Sequence, residues 1–438
     1  MGLGLTQYAP SVIYVSVFIA AFLTVFYKTE IGLYFLIPLI PFENLWIKLW
    51  TRPLGTNLID ILIIALLIGW FLRRHEPFLE KNPFNWPIIL LLLITLSSFF
   101  IGGVDLSFSD SHSVLARWKN FMIMPVLFLI TINNVRSNRQ IKILIALMAF
   151  SMFTNAFYFR STFMWVKTVH FISRNRVTTY VDLGPNEMAS FVAQGTMLLA
   201  GIWLVYKHKL ARILIGIIIA ANMYVILYSF SRGAYMAVFI SSVFLGVVKD
   251  RRILIVLVFL LIGWHQVLPI SVVERIEMTT NEQSELDHSS QVRVDVWKEG
   301  LSAFVKNPLG TGFDSYQTLG FGDTGKRDAH NMFVKMLVEL GVQGLTIFLL
   351  LYWVTVKSGW RLYRSSKNDF SRGLGLGLIA CVIVNMVTNL FGQNWLLFTV
   401  TSYYWIFAAL VVRSTIMIEG KTVQTALKSV YAEAHSHA

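Results

Sequence analysis

SVVERIEMTTNEQSELDHSSQVRVDVWKEGLSAFVKNPLGTGFDSYQTLGFGDTGKRDAH, residues 271–330, is the one long polar passage in a chain otherwise built of apolar runs. It follows RILIVLVFLLIGWHQV at 252–267 and opens into NMFVKMLVELGVQGLTIFLL at 331–350. With 55% hydrophobic and 14% charged residues and a mean hydropathy of +0.62, the chain carries more apolar surface than one soluble core can hide. The bilayer is therefore its solvent, and the polar passage is the part that stays wet.

Crossing about 30 Å of hydrocarbon takes roughly 20 residues of helix. Working outward from the polar passage, such runs lie near 9–27, 57–72, 84–101, 117–133, 139–158, 188–206, 210–228, 232–249 and 252–270 on one side of it, and near 331–356, 373–392 and 394–412 on the other. The expected fold is thus an all-α polytopic membrane protein with about twelve spans and one large loop holding short helices. Ile31 to Trp50 is also apolar, but Pro38, Pro41, Glu43 and Lys48 make it either a thirteenth span or a re-entrant hairpin, which leaves the N-terminal orientation open. The division this implies is an N-terminal bundle over 1–270, the loop over 271–330, C-terminal spans over 331–412 and a tail over 413–438.

Alternate connections are basic. Arg73, Arg74 and Lys81 mark one, Arg136, Arg139 and Lys142 the next, then Lys207, Lys209 and Arg212, and then Lys249, Arg251 and Arg252. Lys357, Arg361, Arg364, Lys367 and Arg372 form another, and Arg413, Lys421 and Lys428 lie in the tail. The positive-inside rule assigns these to the cytoplasm and the loop at 271–330 to the opposite face of the membrane. The same residues account for the net charge of +13. A nucleic-acid partner would need a basic folded domain, and the sequence has none. The single cysteine, Cys381, sits within a span, which disfavours disulfides, Cys zinc sites and thiolate catalysis.

Several cations run against that topological bias. Arg160, Lys167, Arg174 and Arg176 fall in the outward connection near 159–187, Arg232 begins a span at its outer end, and Arg275, Arg293 and Arg327 lie in the large loop. Any one of them is explained by snorkelling or by ion pairing with loop acids such as Glu274, Asp295 and Glu299. Gathered around one histidine, they suit an anion, because guanidinium offers a permanent charge and a planar donor fork that matches phosphate oxygens. Ser231-Arg232-Gly233-Ala234 places such a cation at a helix start, where free N–H groups and the dipole also favour negative charge. Arg293 and Trp297 stand four residues apart on one helical face, a spacing that a plain cation–π pair would also explain.

Asn307-Pro308-Leu309-Gly310-Thr311-Gly312 reads as a tight turn that reverses the chain toward Asp328-Ala329-His330-Asn331. His330 falls at the mouth of an apolar helix, where the dipole favours a neutral ring able to accept a proton. Small residues Gly341 and Gly344 in that helix suit close packing, and Lys335 and Glu339, one turn apart at membrane depth, are expected to pair.

This set of motifs, Ser-Arg-Gly-Ala at Arg232, the Arg293 to Trp297 segment, the 307–312 turn and Ala329-His330-Asn331 continuing to Glu339-Leu340-Gly341-Val342-Gln343-Gly344-Leu345, resembles the O-antigen ligase and polymerase superfamily of bacterial inner membranes. Gly184-Pro185-Asn186-Glu187 is similar to a Pro-Asn element of that family, with Arg174 or Arg176 as the arginine preceding it. The resemblance implies a GT-C-like, metal-independent glycosyltransferase without cofactors. Its donor would be an undecaprenyl-diphosphate glycan, and its acceptor a hydroxyl on lipid A core, protein or a further lipid-linked repeat unit. Under it, Arg232 and Arg293 stabilise the departing diphosphate, and His330 takes the acceptor proton or hydrogen-bonds the diphosphate. Arg174, Arg176, Asn186, Asn331 and Trp297 become candidate substrate contacts, and Phe313, Tyr316 and Phe321 candidate glycan contacts. Nothing in the sequence separates ligase from polymerase or reveals a chain-length regulator. A transporter or flippase of a lipid-linked anion is the reading from another class, although transporters place their ionisable groups near the midplane of broken helices.

Overall fold

The computed structural model describes residues 5–41, 58–73, 79–102, 114–165, 183–277, 288–316 and 328–436. Among these every regular element is helical. The first six helices are α1 (Leu5–Phe26), α2 (Thr29–Leu39), α3 (Leu58–Arg73), α4 (Asn85–Gly102), α5 (Val114–Asn134) and α6 (Asn138–Trp165). Then come α7 (Pro185–Val205), α8 (Lys209–Tyr228), α9 (Arg232–Val248), α10 (Arg252–Val267), α11 (Ile270–Glu277) and α12 (His288–Lys306). The last three are α13 (Met332–Ser365), α14 (Asp369–Leu390) and α15 (Phe398–Ser436).

A helix occupies each of the twelve apolar runs, yet fewer meet the length of a full crossing. Among the described residues seven helices are long and apolar enough to cross a membrane, and an eighth is gained if α10 and α11, bent by 104° against each other, count as one broken span. Thr29–Leu39, Asn85–Ile101 and Arg232–Val248 are apolar but shorter. The proline-broken stretch after Ile31 yields only α2, which contains Pro38, and residues 42–50 lie outside the described ones. The segment after 413 continues α15 as helix to Ser436.

Burial sorts the bundle into centre and rim. In the apolar windows of α7, α14 and α15, 83% of residues are buried, against 17% in α8, and α10 buries none. The centre is close-packed because small residues let backbones meet. A Cβ at Gly201 of α7 would lie 2.3 Å from Gly377 of α14, so only glycine permits that crossing.

Side-chain contacts link five of the six basic connections, the one with Lys249, Arg251 and Arg252 excepted. Glu80 joins Arg136 (3.2 Å) and Arg413 (2.6 Å), Lys207 reaches Asp369 (3.7 Å), and the Lys142 ammonium sits over the rings of Tyr206 and Phe370. The sequence assigned these connections to one face by charge alone, and here side-chain contacts bring them together.

Candidate active site

At its C-terminal end, α8 closes with a reversal that the sequence does not announce. Phe230 takes a left-handed backbone (φ 54°), costly for a bulky residue, and Ser231 then serves as N-cap of α9 without using its side chain as a cap. Arg232, first residue of α9, and the first N–H groups of that helix thereby face a cavity of about 490 Å3. Arg293 from α12 and Arg275 from α11 line the same cavity, together with Asn186 and Glu187 from the start of α7. Arg275 is oriented by its Nε–H, which donates to the Phe230 carbonyl (3.4 Å). Three guanidiniums and one carboxylate are thus the charged groups among the lining residues, a surplus that favours an anionic ligand.

The floor of the cavity, Thr388 and Asn394, is fixed by a buried polar chain through the central helices. The Ser190 hydroxyl donates to Thr388 Oγ1 (2.8 Å), Gln194 to Ser190 (3.2 Å), Asn385 to Gln194 (3.0 Å) and the Tyr352 hydroxyl to Asn385 (2.6 Å). Asn389 accepts from the Trp395 N–H (3.0 Å), and Asn394 donates to the Thr388 carbonyl (3.2 Å). Unpaired amides would be expensive at this depth, so the mutual pairing holds the turn between α14 and α15 rigid.

His330, in another left-handed position (φ 46°), is not one of the residues lining the cavity, but two that are, Arg293 and Glu187, lie near enough for their charges to act on it. The N-cap of α13 is its neighbour Asn331, whose Oδ1 accepts the N–H groups of Phe333 (3.0 Å) and Val334 (3.2 Å). That oxygen is committed to capping, so Asn331 shapes the helix start where the sequence had suggested a substrate contact. Trp297 likewise acts on the protein itself: its indole N–H donates to the Ala329 carbonyl (2.6 Å) and ties α12 to the residue before the histidine. His330 keeps an exposed edge. The protein packed around the ring and then Arg293 lower its pKa, while Asp328 and Glu187 oppose them. The imidazole is therefore biased toward the neutral form at neutral pH.

The support beneath His330 is an ion cluster. Lys335, 2% exposed, pairs with Glu339 as its spacing predicts (2.9 Å), and also with Asp328 (3.1 Å) and Asp314 (3.5 Å); Arg117 from α5 joins Asp314. Glu339 further accepts the backbone N–H groups of Asp314 (3.0 Å) and Tyr316 (3.1 Å).

The 307–312 turn docks against α13 at a place the sequence reading assigned to close packing. Gly341 adopts φ 72° and breaks the helix. The carbonyls of Val338 and Glu339, which in an unbroken helix would accept from residues 342 and 343, take the N–H groups of Thr311 (2.9 Å) and Gly312 (2.9 Å). In exchange the Val342 N–H reaches the Pro308 carbonyl (3.3 Å) and Gln343 Nε2 the Leu309 carbonyl (2.6 Å). Polar backbone freed by the break is thereby satisfied.

Two of the suggested glycan contacts are interior. Phe313 packs against Phe99 and Phe121, and Tyr316 is fully buried, its phenol held protonated by burial and by Glu339. Phe321, Arg327, Arg174 and Arg176 lie outside the described residues. The cavity adds Arg275 and Glu187, which the sequence had offered only as one outward charge among several and as part of a motif. A signal existed for Arg275, a cation outside the cytoplasmic connections, but nothing linear ties it to Arg232.

Residues 215–349 match the family model described as O-antigen ligase, a stretch that contains Arg232, Arg275, Arg293 and His330. No curated protein matches the sequence. The family points to ligase or polymerase activity on a lipid-linked glycan and an acceptor, in keeping with the apolar helices. Over residues 215–349, about a third of the chain, the sequence is thus similar to the O-antigen ligase family, in keeping with the motifs that fall there.

Proposed function

We propose that the protein transfers a glycan from undecaprenyl diphosphate to an acceptor hydroxyl at the end of the bundle bearing the arginine cavity, the periplasmic face of the inner membrane. The observation that carries this reading is the cavity itself. Arg232, Arg275 and Arg293 line it from three separate elements, and Arg293 and the surrounding protein lower the pKa of the nearby His330. The positive-inside pattern of the opposite end gives the orientation.

In this scheme the acceptor oxygen attacks the anomeric carbon as the bond to the diphosphate oxygen breaks. The acceptor proton passes to His330, and the electron pair leaves with the diphosphate. The negative charge gained there is met by guanidiniums already in place and by the start of α9, so little reorganisation is needed as the bond breaks. Glu187 offsets the effect of Arg293 on His330 and so helps the ring carry the proton it receives. The polyprenyl tail lies along the apolar spans beside the cavity. The scheme calls on no metal and no soluble sugar nucleotide. Polysaccharide polymerisation and ligation share this chemistry and differ only in the acceptor.

The test is release of undecaprenyl diphosphate by purified protein given the lipid-linked glycan and each acceptor in turn. Arg232→Ala, Arg293→Ala and His330→Ala are expected to abolish it, and release that survives all three overturns the site. Ladders of longer lipid-linked glycan identify a polymerase, and label moved to lipid A core or protein a ligase. Movement of intact substrate across a liposome without diphosphate release overturns the proposal in favour of transport.

A further inference from the structure

A second hollow, of about 510 Å3, runs between α6, α7 and α8 at the end of the bundle opposite the arginine cavity. Lys142, Ala146, Ala149 and Phe153 form its α6 wall, at spacings that keep them on one face. Lys142 is the one charged residue among those lining it, and its ammonium lies 5.8 Å from the Tyr206 ring and 5.5 Å from the Phe370 ring, which places the charge at the mouth.

Length and charge together define what fits. From Lys142 to Phe153 the helix rises about 16 Å at roughly 1.5 Å per residue, half of the roughly 30 Å hydrocarbon core. A chain entering at Lys142 therefore ends near the midplane, the depth of one leaflet. Within three residues in sequence of the lining residues Lys142, Tyr206 and Ala211 come Arg139, Lys207, Lys209 and Arg212, and Lys207 pairs with Asp369 (3.7 Å). Basic pockets between helices at this face suit anionic headgroups.

We propose that this groove holds one acyl chain of an anionic phospholipid from the adjacent leaflet, with its phosphate at Lys142. Neither the family match nor the glycosyl-transfer reading assigns such a site, and the groove is separate from the cavity of Arg232.

The test uses the full-length protein, stripped of lipid and offered phosphatidylglycerol or phosphatidylethanolamine, with retained lipid counted by native mass spectrometry. Wild type is expected to hold one phosphatidylglycerol in preference to phosphatidylethanolamine. Lys142→Gln is expected to weaken that retention about fivefold, the worth of one basic residue near an anionic surface. Ala146→Trp, at an exposed position that the packed core does not use, fills the groove and is expected to remove retention of either lipid. Arg232→Ala is expected to leave it unchanged, so failure here is distinguishable from failure of the proposed activity. Equal retention of both lipids, or retention that withstands both groove substitutions, would each overturn the proposal.

Discussion

Two charged assemblies flank the short segment that carries His330, and they are organised in opposite ways. Below it, Lys335 and Arg117 meet Asp314, Asp328 and Glu339 in a network whose ammonium is 2% exposed. Beside it, Arg232, Arg275 and Arg293 share an open cavity with Glu187. In the first, opposite charges and backbone donors satisfy one another, which pins the 307–316 turn to α13. In the second, positive charge is in surplus where solvent and a ligand can enter. Similar residue types are therefore locked into the interior in one place and line an open cavity in the other, where the proposed reaction would use them.

The comparison can be broken first at the turn. Gly341→Val would set a side chain 2.6 Å from the Pro308 carbonyl at φ 72°, adding backbone strain of about 1–3 kcal/mol to overpacking of similar size. The expected outcome is a large loss of thermal stability together with activity, read by melting of the purified protein. Next, Lys335→Met leaves three carboxylates without their ammonium and is expected to cost about 3–5 kcal/mol. Arg232→Ala should do the reverse, leaving the melt nearly unchanged while lowering diphosphate release by about 10²–10³-fold. If both substitutions lower stability alike, the division between supporting and reacting charges fails.

A finer test uses pH. Because burial and Arg293 lower the pKa of His330 below its ordinary value of about 6.5, turnover that needs the neutral ring should persist through neutral pH and fall only as pH drops through the lowered value. Glu187→Gln removes a neighbour that raises that pKa, so the acid limb of single-turnover kinetics should move further down. An acid limb that stays in place would remove Glu187 from the scheme. The smallest effect is expected from Trp297→Phe, which deletes the hydrogen bond to the Ala329 carbonyl. That bond is worth about 1 kcal/mol, and its loss should appear in kcat with the KM for donor unchanged.

Much of this was legible in the chain. Helix positions follow hydropathy because an apolar run in lipid satisfies its backbone only by coiling on itself, a local requirement. The pairing of Lys335 with Glu339 follows from one helical turn, and the start of α9 at Arg232 from the onset of an apolar run. Twelve runs were read as spans, and among the described residues seven helices, or eight with the bent α10–α11 pair as one, have the length and apolarity for a crossing. Asn331 and Trp297 were offered as substrate contacts, and the structure adds a hydrogen bond to the backbone for each, which a polar or aromatic residue near a histidine does not reveal in sequence.

By itself, then, the sequence determined the solvent, the run of helices, the motifs and the family they resemble, because these depend on composition and near-neighbour spacing. Only the tertiary structure decided that Arg275 joins Arg232 and Arg293, that Gly341 breaks its helix to receive the 307–312 turn, and that Glu187 comes near enough to the histidine for its charge to act on it. Each of these joins residues far apart in the chain, and such meetings are set by how helices pack against one another.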